Sequence, residues 1–143
     1  MSRAGRAAVV AEAAGWLGTP WHHRARVKGA GVDCIQFVIA VFSACGLCPA
    51  IDTGDYSRDW MLHRDDELIL DGLRQYAWEI ERPGLGDIVV YRFGRTFSHV
   101  GIFSAPDRII HAYLAESEVI IGHPDGGQLA GRERKYFSVW SKS

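Results

Sequence analysis

Between positions 34 and 45 the chain is apolar on almost every side. Ile35, Phe37, Val38, Ile39, Val41, Phe42 and Ala44 are interrupted only by Gln36 and Ser43 among larger side chains. A helix without a polar face belongs in a core, so this stretch predicts the central buried helix. Gly46 supplies its stop, and Pro49 keeps it from resuming. Earlier, Ala7, Val10, Ala11 and Ala14 recur at helical spacing and predict an amphipathic helix ending near Gly15 or Gly18. Trp60, Leu62, Leu68, Ile69, Leu70, Leu73 and Tyr76 predict one or two further helices over residues 59–78, despite Gly72. Beyond the Arg82-Pro83-Gly84 turn the periodicity changes. Residues 87–92, 98–104, 108–114, 118–122 and 136–141 are short runs rich in β-branched and aromatic side chains. Helices followed by a mostly antiparallel meander make an α+β domain.

Composition narrows what such a domain can do. Its 143 residues suit one compact domain, residues 1–143, and 48% hydrophobic with 23% charged residues is ordinary for a globular chain. A formal net charge of −1 gives no electrostatic reason to expect nucleic acid or an anionic membrane as partner. The first sixteen residues carry Arg3, Arg6 and Glu12 among alanines, too interrupted for a secretion signal or a spanning helix. The expectation is a chain that is cytoplasmic as synthesised. Cysteines at 34, 45 and 48 cannot all pair, which favours a reducing compartment.

Candidate chemistry gathers at the start of the apolar helix. Asp33, with Gln36 three residues on, has the spacing of an N-cap and its reciprocal partner, which sets Cys34 at the first helical position. Free backbone N–H groups and the positive end of the helix dipole converge there, and a thiol so placed is expected to lose its proton more easily. A small buried hydrophobe is the plainer alternative. Cys45-Gly46-Leu47-Cys48 looks like a redox pair but falls at a helix C-terminus, where the dipole opposes a thiolate. Of the six histidines, His22, His23, His63 and His123 fall in loops or on an exposed helix and read as surface residues. His99 and His111 lie inside predicted strands around a Ser104-Ala105-Pro106-Asp107 turn. A simple hairpin centred on 105 sets them opposite each other on one face.

That arrangement suggests a nucleophile. His99 would take the Cys34 proton as general base, and His111 would bond the far ring nitrogen of His99 and fix its tautomer. A thiolate–imidazolium pair would then attack a carbonyl, with the Cys34 backbone N–H donating to the oxyanion. A metal site from Cys34, His99 and His111 is the rival reading, since a catalytic zinc needs only three protein ligands. The loop of residues 22–31, with Arg24, Arg26 and Lys28, reads as a solvated connector or as a cleft rim attracting carboxylates. Trp21 could wall that cleft.

Gly18-Thr19-Pro20-Trp21, Gly31-Val32-Asp33-Cys34, Gly86-Asp87-Ile88-Val89-Val90, Ser98-His99-Val100-Gly101-Ile102 and Ile110-His111 occur in one order. Together, over about residues 15–115, they resemble the NlpC family of papain-like cysteine peptidases, which cut peptide bonds in bacterial peptidoglycan. The resemblance implies a papain-like α+β fold, and a Cys, His and third polar residue that fall on Cys34, His99 and His111. It implies peptidoglycan stem peptides as substrate, substrate contacts at Trp21 and Asp33, and no metal or other cofactor. Ile35-Gln36 stands where the family has Ser-Gly, and Trp21 where it has tyrosine, both near the substrate. A short single-domain form is similar to the bacteriophage tail-associated branch, which implies tail proteins as partners and a virion tail as location. A non-catalytic tail module, and a thiol amidase or acyltransferase on another substrate, remain open.

Overall fold

A computed structural model describes residues 5–54, 56 and 67–140. The part of the predicted helical region holding Trp60, Leu62 and His63, and the last position of the predicted final strand, lie outside the described residues. Helix α1 is Arg6–Ala14 and ends at Gly15, as its periodicity predicts. A short hairpin, β1 (Arg26–Val27) with β2 (Gly31–Val32), occupies the basic loop that the sequence presents as a solvated connector or cleft rim. Helix α2 is Cys34–Ala44, capped by Asp33, and Gly46 at φ +72° turns the chain after it.

Helix α3 covers Leu68–Tyr76. The helix expected to reach Trp78 stops earlier: Trp78–Ile80 is strand β3, because it pairs with the last strand. Strands β4 (Ile88–Phe93), β5 (Thr96–Ala105), β6 (Arg108–Tyr113), β7 (Glu118–Gly122) and β8 (Arg134–Ser138) complete an antiparallel sheet. Its order, β3-β8-β4-β5-β6-β7, departs from a plain meander because β8 returns to lie between β3 and β4.

Alternation along the strands divides the buried residues into two sets. Val90, Val100, Ile102, Ile110, Ala112, Val119 and Phe137 pack with Phe37, Val41 and Val9 from the helices. Val89, Tyr91, Phe103 and Ile109 form a second, smaller cluster with Leu129. The loop of residues 123–132 covers this other side, tied down by Tyr91, whose hydroxyl donates to the Pro124 carbonyl at 2.6 Å. Full burial of Phe37 alone stabilises the first cluster by roughly 1.5–3 kcal/mol. No helix among the described residues is long and apolar enough to cross a membrane.

Candidate active site

Where β4 and β6 end and β5 begins, the sheet meets the N-terminus of α2 in a cleft of about 330 Å³. Trp21, Asp33, Cys34 and His99 all line it. Asp33, only 4% exposed, caps α2 by accepting from the Gln36 backbone N–H at 2.9 Å. The expected reciprocal bond is not what Gln36 makes. Its amide turns away from the cap, accepting from Arg26 Nε at 2.7 Å and donating to Thr53 Oγ1 and the Tyr56 hydroxyl, each at 3.1 Å. The second Asp33 oxygen accepts from the Arg24 backbone N–H at 2.8 Å and the Tyr56 hydroxyl at 2.6 Å. This loop strains Arg24 into the left-handed region, φ +63°.

Cys34 is half-buried, and its thiol donates to the Ser98 carbonyl at 3.6 Å. Its acidity departs from the expectation based on the helix dipole. Burial, followed by the neighbouring Asp33 charge, pushes the thiol up to about 12, against opposing help from backbone N–H groups. Desolvation outweighs the dipole because an ion loses its water at once, whereas the helix end contributes only partial charges.

Nε2 of His99 and Nδ1 of His111 share a hydrogen bond of 2.7 Å. The two rings lie on one side of the sheet, as expected, but the pairing differs from a hairpin centred on 105. The turn is Pro106-Asp107, followed by a register shift between Phe103 and Ala105, and Ile102 pairs with Ile110. That register carries Gly101, not His99, opposite His111. A displacement of two residues preserves the face, so the rings meet diagonally. Gly101 makes the diagonal possible: a Cβ there would stand 3.2 Å from the His111 Cβ. A Cβ on Gly122 would stand 3.1 Å from His111 Nε2, so that glycine also shapes the ring's slot.

Aromatic rings enclose the pair. Tyr113 stacks on His111 at 4.7 Å and lies 5.3 Å from His99, and Phe93 meets His99 edge-on at 5.9 Å. Burial holds His111 down at about 4. It also holds His99 well below the usual histidine range, helped by the His111 and Arg132 charges. Both imidazoles and the thiol are therefore neutral at pH 7.

Several cleft residues escaped the sequence reading. His23, read as a surface residue, lines the cleft and meets Tyr56 edge-on at 5.3 Å. Tyr113 lies two positions beyond His111, and strand alternation could have found it. Tyr56, Phe93 and Gln128 also reach the cleft and left no local signal. His22 and His123 are exposed, as expected.

Residues 18–135 match the sequence model of the NlpC/P60 family. Among solved structures, the NlpC/p60 domain of the peptidoglycan hydrolase SagA aligns with a TM-score of 0.63 at 21% identity. That alignment covers 92% of this chain and 97% of that one. An NlpC/P60 family protein from Bacillus cereus aligns with a TM-score of 0.66 at 18% identity, over 94% of this chain but 40% of its own. The peptidoglycan hydrolase RipB from Mycobacterium tuberculosis gives 0.63 at 16% identity, over 96% of this chain and 65% of its own. At these identities the likeness establishes a shared α+β, papain-like fold. No curated protein sequence matches this chain.

Proposed function

The chain belongs to the NlpC/P60 family, and from that premise we propose that it is a cysteine peptidase acting on peptide bonds of peptidoglycan stem peptides. One observation carries the proposal. Cys34, at the head of a buried helix, and His99, on a distant strand, line one cleft, with His111 hydrogen-bonded behind His99 at 2.7 Å. Two structural relatives, SagA and RipB, are peptidoglycan hydrolases, which supports the substrate class.

In the proposed reaction the proton on His99 Nε2 points to His111 Nδ1, which leaves His99 Nδ1 as the base. Sulfur attacks the substrate carbonyl carbon as its proton passes to His99 Nδ1. The carbonyl oxygen becomes an oxyanion facing the Cys34 backbone N–H, at the positive end of α2. His99 then gives the proton to the leaving amine, and the C–N bond breaks to leave a thioester. Water, deprotonated by His99, hydrolyses that thioester and restores the thiol. The raised thiol and lowered imidazole argue for proton transfer during attack, in place of the preformed ion pair expected from the sequence.

Trp21 is proposed as an apolar wall for the peptide. Asp33 is proposed to orient the cleft rim, since both of its oxygens are engaged by the protein. Residues 1–143 are proposed to act as one domain, and a phage or prophage tail as the setting, the latter resting on the sequence resemblance alone. Incubation with defined stem peptides, followed by mass spectrometry, tests the proposal. The protein should release two fragments from one amide bond, and folded Cys34→Ala should release none. Intact peptides with the unaltered protein across pH ~5–9, which spans ordinary histidine and cysteine titration, would remove the peptidase reading.

A further inference from the structure

The anion closest in sequence to the proposed nucleophile is Asp33, and its buried carboxylate opposes formation of a thiolate beside it. What softens that opposition is the set of donors on the carboxylate. Two are backbone N–H groups, of Gln36 and Arg24. The third is the Tyr56 hydroxyl, whose 2.6 Å bond has the length of a charge-assisted O–H···O⁻ contact. The phenol does not reach Asp33 unaided. Gln36, one turn along α2, donates to the Tyr56 oxygen and to Thr53, while Arg26 holds the other end of the Gln36 amide. Gln36 thus ties Thr53 and Tyr56 down over the head of the helix.

We propose that Tyr56 is a positioning residue for the Cys34 thiol: by donating to Asp33 it draws negative charge away from the sulfur, and Gln36 holds it there. A hydroxyl proton shared with the carboxylate spreads the anion over two residues and lowers its field at Sγ. The other groups around the thiol differ in kind. From β5 come the Ser98 carbonyl and the His99 ring, with His111 and Tyr113 behind it on β6. From the loop before α2 comes His23, whose Nδ1 stands 4.0 Å from Asp33. Arg26 reaches the network through Gln36. Among the described side chains, Tyr56 is the one that lines the cleft and donates a hydroxyl to Asp33.

The catalytic meaning of this arrangement rests on the peptidase reading, but its test reads the thiol without turnover. With Cys45 and Cys48 replaced by serine, iodoacetamide labels Cys34 alone. Well below the thiol midpoint the labelling rate follows the thiolate fraction. At about pH 9, Tyr56→Phe should slow labelling about three- to tenfold, as expected for a rise of about half a unit to one unit. Asp33→Asn, which keeps a capping side chain, should speed it. In the Asp33→Asn background, Tyr56→Phe should change the rate less than about twofold. Unchanged labelling in Tyr56→Phe overturns the proposal. Equal slowing in both backgrounds also overturns it, because the phenol would then act by packing rather than through the carboxylate. If Tyr56→Phe fails to fold, Gln36→Leu takes its place, and it must slow labelling in the same Asp33-dependent way.

Discussion

The two sides of the six-stranded sheet are made from alternate residues of the same strands, yet only one of them buries a pair of imidazoles beside its apolar cluster. Val100, Ile102, Ile110 and Ala112 turn toward the helices and join a core of aliphatic and aromatic side chains. Their neighbours His99, Gly101 and His111 turn the other way, among Tyr91, Phe93 and Tyr113. Helices cover the first side; the second lies beneath a loop with few apolar anchors, Leu129 among them. His99 and His111 are only 9% and 1% exposed, although His99 lines the cleft. Burial there keeps the two imidazoles neutral and paired. One side of the sheet stabilises the fold, while the other also sets proton affinities.

Substitutions should separate the two roles. His99→Ala should reduce release of stem-peptide fragments at least about 10⁴-fold while the protein stays folded. Ile102→Ala, three residues away on the helix side, should cost about 2–5 kcal/mol in chemical denaturation, with activity per folded molecule retained. Should the costs prove interchangeable, the division between the sides collapses. His111→Ala removes only the group that orients His99, and a loss of about 10²-fold or more in kcat is expected. An unchanged rate would show that His99 needs no partner.

Gly122→Ala probes the slot without removing a polar group. Its added Cβ meets the His111 ring at 3.1 Å, and displacement of that ring should lower kcat about tenfold with little change in KM. A further effect is expected on stability in acid. Both imidazoles bind protons less well folded than unfolded. The unfolded chain therefore takes up more protons as pH falls, and stability declines below pH 6.5, with the His111 share lost by about pH 4. Urea midpoints between pH 7 and 4 should drop, and His111→Ala should flatten that drop. The same lowered imidazoles should keep the acid limb of kcat/KM below the ordinary histidine range. An acid limb near pH 6.5 would contradict the buried, neutral pair.

What local sequence could determine was parity and placement. The apolar run fixed α2 as a buried helix, Asp33 marked its start, and Cys34 followed at its first position. Within a single hairpin, the even separation of 99 and 111 was enough to suggest a shared face, and that survived a two-residue error in register. Tertiary structure decided the rest. The Pro106-Asp107 turn and a register shift beside Ser104 chose the pairing, and Gly101 let the rings meet diagonally. Tyr56 reached the head of α2 through Gln36, whose side chain the capping pattern had assigned to another bond. The sign of the Cys34 shift was also a tertiary matter. A helix terminus acts through a few partial charges that local sequence reveals, whereas desolvation depends on every element closing over the sulfur.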